Sequence, residues 1–143
     1  MRKSPVVLAL IFPAVLLAAA FAQTADPAKG AAKAPTTREM NLMCWQEFGE
    51  LVPARIRTVL VPFGSLEPHG VIPNGTANPA SQAMARDIAA RVDALIAPTL
   101  NYGMTDAMKA FPGAASIPSE AYAPFAEAIL DNLAANGFKN IIV

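Results

Sequence analysis

The densest run of residues able to do chemistry is Gly64-Ser65-Leu66-Glu67-Pro68-His69-Gly70, which holds the chain's single histidine. In extended backbone, residues two apart project to the same side, so Glu67 and His69 converge on one point. A carboxylate and an imidazole brought together make half of a site for a divalent ion such as zinc, manganese or iron. Pro68 stiffens the segment between them, and Gly64 and Gly70 let the backbone turn closely around an ion. Two ligands do not hold a catalytic metal tightly, so further ligands must come from elsewhere. Ser65 beside His69 also invites a nucleophile-and-base reading. No strand-turn-helix elbow or oxyanion arrangement accompanies it, and that reading is set aside.

The elements around this run explain how it is held. Arg57 to Phe63 is a compact β-branched stretch that reads as a buried strand, with Gly64 to Ala77 as the loop at its carboxyl end. Asn78-Pro79 reads as a helix cap followed by proline at the first helical position. Ala80, Met84, Ile88 and Val92 then recur every four residues, as one stripe facing a core. Ala94 to Pro98 is a second strand, and Asn101 to Pro118 a long loop. A helix from about Ser119 to Asn136 carries the stripe Phe125, Ile129, Leu130 and Leu133. Pro124 either kinks it or marks its first turn, and Gly137 is its left-handed stop. Lys139 to Val143 is a third strand. Upstream, Trp45, Phe48 and Leu51 are spaced for a short amphipathic helix over Trp45 to Leu51.

Alternating strands and helices indicate an α/β fold with a parallel sheet and crossover helices. In such sheets ligands sit outside the carboxyl ends of the strands. The third strand reaches that end at Val143, and a three-stranded parallel sheet of this kind is a weak unit. The expectation is therefore a domain truncated after its third strand.

Residues 1–22 read as a secretory signal peptide: basic Arg2 and Lys3, an apolar stretch from Val6 to Ala20, and Ala20-Phe21-Ala22 as the cleavage pattern before Gln23. The apolar stretch is short for a membrane span and Pro13 interrupts it, so no stable membrane insertion is expected after cleavage. An exported protein, periplasmic or secreted, follows. Residues 23–39 read as a flexible linker, because the run from Gln23 to Thr37 has no large apolar residue to offset the entropy of ordering. Residues 40–143 form the folded part.

The chain of 143 residues carries 11 basic and 11 acidic side chains. With Arg2 and Lys3 removed, the net charge becomes −2, and no polybasic face remains, which argues against nucleic-acid or anionic-membrane partners. One cysteine, Cys44, excludes an internal disulfide framework and a multi-cysteine zinc site. Its expected place is the interior.

The stretch VLVPFGSLEPHGVIPNGTAN resembles the creatininase (creatinine amidohydrolase) family. The resemblance extends to Trp45-x-Glu47 upstream and to Pro98-Thr99-Leu100-Asn101-Tyr102-Gly103 and Phe111-Pro112-Gly113 downstream. With Asn136-Gly137-Phe138 before an apolar strand, it covers nearly everything from Met40 to Val143 and marks the N-terminal portion of such a domain. It implies a three-layer α/β/α domain, homo-oligomeric assembly, and metal-dependent hydrolysis of C–N bonds in small cyclic or linear amides. One or two divalent metals are implied, with Glu67 and His69 on two of the ligand positions. Tyr102 and Phe111 become candidates for lining a substrate pocket.

The sequence departs from the family pattern at three places. The family's His-Leu-Pro-x-Gly-Thr-Asp stretch, whose aspartate bridges two metals, is represented by Val71 to Asn78. Ala77 or Asn78 then stands at the aspartate; alanine cannot ligate, and a neutral asparagine binds far more weakly than a carboxylate. Met108 sits near the place of a histidine that often follows the Tyr-Gly motif. The Asn-Gly-His-Gly-Gly-Asn loop and a later glutamate would fall beyond Val143. The resemblance thus implies a metal-dependent amidohydrolase lineage and a chain inactive by itself, with no catalytic residue assignable. Two alternatives are a degenerate or single-metal ligand-binding relative, and an exported, non-catalytic α/β interaction module in which His69 is an ordinary hydrogen-bonded loop residue.

Overall fold

The computed structural model describes residues 34–143. The expected signal peptide and most of the expected linker therefore lie outside the described residues. The elements run α1 (Trp45–Leu51), β1 (Thr58–Leu60), α2 (Ala77–Ala89), β2 (Ala94–Ile96), α3 (Ser119–Ala135) and β3 (Asn140–Ile142). Single 3-10 turns occupy Met40–Leu42 and Asp106–Met108. The strands form one parallel sheet in the order β2-β1-β3, with Val59 opposite Leu95 on one side and Ile141 on the other. None of the helices among the described residues is long and apolar enough to cross a membrane.

Alternation along the strands divides the core into two layers. Val59, Val61, Leu95 and Ala97 pack with Leu51, Val52, Ile56, Leu133 and Phe138 on the face covered by α1 and α3. Leu60, Ala94 and Ile96 pack on the opposite face against Ala85 and Ala89 of α2. Ile56, Val59 and Leu95 are fully buried; each such side chain contributes about 1.5–3 kcal/mol relative to exposure. The helix α3 ends as the sequence implies, with Gly137 at φ +110°. Phe138 N–H then donates back to the Leu133 carbonyl at 3.4 Å, closing the last turn.

Four expectations are corrected. The buried side of α2 is Ala85 and Ala89, while Met84 and Ile88 are 64% and 40% exposed. Alanines let the helix sit close on the sheet, which turns the larger stripe one residue around the helix. There Met84 and Ile88 line a groove with Leu60, Phe63, Ile142 and Val143. On α3, Phe125 is exposed and Tyr122 is buried in its stead, its ring edge-on to Phe63 at 6.2 Å; Pro124 lies within the continuous helix. Cys44 is exposed, because it occupies the extended position just before α1. Finally, the residues just ahead of Met40 take part in the fold. Ile96 N–H donates to the Arg38 carbonyl at 2.8 Å, and Arg38 pairs with Asp93 at 2.9 Å, so this segment covers the free side of β2.

Candidate metal centre

Two loops at the carboxyl end of the sheet build the site. Pairing continues past the strands: Leu100 N–H donates to the Pro62 carbonyl at 3.0 Å and Gly64 N–H to the Leu100 carbonyl at 2.8 Å. Beyond Gly64 the first loop stays extended, held by Ala115 N–H to the Leu66 carbonyl at 2.9 Å and Glu67 N–H to the Asn74 carbonyl at 3.1 Å. It reverses at Gly70, whose φ of +67° is a conformation glycine adopts without strain. The turn leaves His69 bridged to Ile72.

This extended run brings Glu67 and His69 together. Glu67 Oε1 and His69 Nε2 stand 3.9 Å apart, with side chains 27% and 32% exposed. Ser65 Oγ donates to Glu67 Oε1 at 3.1 Å, not to His69, and so orients the carboxylate. His69 Nε2 is buried and has no hydrogen-bond partner. The 3.9 Å gap is too long for a hydrogen bond. Two donors each about 2.1 Å from one ion can be at most about 4.2 Å apart and stand about 3.4 Å apart in a tetrahedral site, so the pair is within reach of one divalent ion at a wide angle. Among the described residues, no group of three or more His, Cys, Asp or Glu side chains could hold a metal.

Asn78 is placed differently from the cap that its sequence context suggests. The helix α2 begins at Ala77, its cap is Thr76, and no side chain makes a capping bond. Asn78 instead lies in the first turn, where its Nδ2 donates to the Asn101 carbonyl at 3.3 Å. Its Oδ1 is buried without a partner. Ala77, the other residue in the aspartate region, is the first residue of the helix.

Tyr102 and Asn78 line an open hollow of about 390 Å³ with Leu66, Pro79, Gln82 and Asn101. Neither Glu67 nor His69 lines it, and Phe111, 55% exposed, stands apart from it. Met108 closes the short turn Asp106–Met108. Sequence reasoning missed Thr99, Thr105 and Tyr122, whose side-chain oxygens are buried without partners. A hydroxyl or phenol in an apolar stretch gives no periodicity signal of its own.

The sequence model of the creatininase family, described as creatinine amidohydrolase, matches residues 41–143. The chain belongs to the creatininase family. No curated protein is matched. Among solved structures, a creatininase of Zn-Zn type with a glutamate-to-glutamine substitution superposes with a TM-score of 0.68 at 24% identity. A manganese creatininase gives 0.66 at 24% identity, and a substituted creatininase complexed with creatine gives 0.65 at 24%. Each match covers 73% of this chain and 43% of the other. The chain therefore spans less than half the length of these creatininases, and the likeness establishes the parallel α/β fold.

Proposed function

We propose that this chain supplies part of the ion site of a divalent-metal-dependent amidohydrolase acting on C–N bonds of a small cyclic or linear amide. The observation that carries the reading is His69 Nε2, buried, without a hydrogen bond, and 3.9 Å from Glu67 Oε1. A buried ring nitrogen left unpaired costs stability, and an ion bound there would offset that cost. In this reading Glu67 and His69 hold zinc, manganese or iron. Membership of the creatininase family supports it, as do the Zn-Zn and manganese designations of similar structures. When bound, such an ion supplies Lewis acidity that polarises an amide carbonyl and makes water a stronger nucleophile near neutral pH.

The chain's own residues do the positioning. Ser65 fixes the Glu67 carboxylate, and the reversal at Gly70 fixes the backbone that carries the imidazole. Two ligands make a weak site, so the 143-residue chain is inactive by itself; amidase turnover by the isolated chain with added zinc or manganese would contradict this. A single-metal, ligand-binding relative is the second reading, favoured by the absence of a carboxylate at both Ala77 and Asn78, where the family pattern has an aspartate. Export through residues 1–22 and homo-oligomeric assembly complete the proposal. The test is a zinc titration of the purified chain by calorimetry. Weak, saturable uptake by the wild type that His69→Ala and Glu67→Gln both abolish is expected. No uptake, or equal uptake in all three, would leave an interaction module as the better description.

A further inference from the structure

The roots of both site loops meet at one side chain. Asn78 Nδ2 donates to the Asn101 carbonyl at 3.3 Å, while its Oδ1 packs against Gly64 so closely that a Cβ there would overlap it. Gly64 N–H in turn donates to the Leu100 carbonyl at 2.8 Å. One carboxamide thus joins three pieces of backbone: the first turn of α2, the start of the loop bearing Glu67 and His69, and the start of the loop bearing Tyr102. Gly103 tightens the same junction, since a Cβ on it would lie 2.9 Å from the Gly64 carbonyl oxygen.

We propose that Asn78 is a positioning residue for the Glu67–His69 pair, a clamp on the loop roots and not a metal ligand. Its functional consequence rests on the metal reading above, whereas its geometry does not. Only a carboxamide fits this place. The donor end serves the Asn101 carbonyl, and the uncharged oxygen end tolerates burial against the Gly64 backbone. Aspartate has the same shape but sets a charged oxygen against the Asn101 carbonyl oxygen, which repels it. Alanine leaves a void behind Gly64 and no link to Asn101. In either case the backbone three residues before Glu67 loses its fixed position.

Two measurements on the full chain test the clamp, one of them independent of metal. Hydrogen exchange of the metal-free protein should show Gly64 amide protection falling about tenfold in Asn78→Asp and Asn78→Ala, the worth of about one hydrogen bond. Val59 and Leu95 amides should keep their protection. Zinc titration, followed on the single imidazole NMR signal, should show weaker binding in both variants, with aspartate no better than alanine. Tighter zinc binding by Asn78→Asp would make Asn78 a ligand and overturn the clamp. Unchanged Gly64 protection would overturn it as well. If the wild type shows no zinc response but Gly64 protection falls, the metal reading fails and the loop clamp stands.

Discussion

The same three strands border two unlike environments. On the face covered by α1 and α3, Ile56, Val59 and Leu95 are sealed among apolar neighbours. At the carboxyl end, the picture inverts. The buried side-chain polar atoms without partners among the described residues are His69 Nε2, Asn78 Oδ1, Thr99 Oγ1, Thr105 Oγ1 and Tyr122 Oη. Four of these belong to the loops after β1 and β2 or to the helical turn joining them, and Tyr122 packs on Phe63 just before Gly64. Leaving such atoms unpaired costs stability, so the two regions divide the labour: the apolar layers hold the fold, and the strand tips hold groups arranged for something else.

That division can be broken at several points. Leu95→Ala should have the largest effect, a loss of about 2–5 kcal/mol in denaturant unfolding, with the imidazole response to zinc preserved while the protein stays folded. A loss of the zinc response in the folded variant would show that the two regions are not separable. Thr105→Val acts in the opposite direction. Removing a buried hydroxyl without a partner should stabilise the metal-free protein by about 1 kcal/mol, and a clear destabilisation would mean that the hydroxyl is satisfied.

Tyr122→Phe sharpens the comparison through pH. Burial raises the Tyr122 phenol above its ordinary value of 10.0 by disfavouring the phenolate. The folded state therefore favours the protonated form; this contribution is complete below about pH 10 and vanishes as pH rises through the folded-state value. Wild-type stability should fall on the alkaline side, and Tyr122→Phe should flatten that fall; identical alkaline profiles would contradict it. The smallest effect is expected for His69→Ala in the metal-free protein, within about 0.5 kcal/mol, because His69 Nε2 has no hydrogen bond to lose.

Legibility in the sequence followed the same partition. Short apolar runs, β-branched in the case of β1, marked all three strands, and Gly137 marked the end of α3, because each depends on local backbone preference. Which helix face is buried depends on what the helix meets. Met84 and Ile88 have the stronger apolar character, yet the close approach of α2 to β1 and β2 selects Ala85 and Ala89. Asn78-Pro79 has the composition of a helix start, but tertiary contacts with Gly64 and Asn101 claim the carboxamide and move the cap to Thr76. Glu67 and His69 were readable because extended backbone fixes their side at a spacing of two. Nothing in the sequence could show that His69 Nε2 is left without a partner, since that requires knowing every neighbour.

The most direct test follows the lone imidazole of the untagged full chain by NMR while zinc is added. The pair is expected to produce a saturable shift of the His69 ring signal that Glu67→Gln abolishes without loss of fold. A His69 signal indifferent to zinc, or a shift that persists undiminished in Glu67→Gln, would contradict a shared ion between these two side chains.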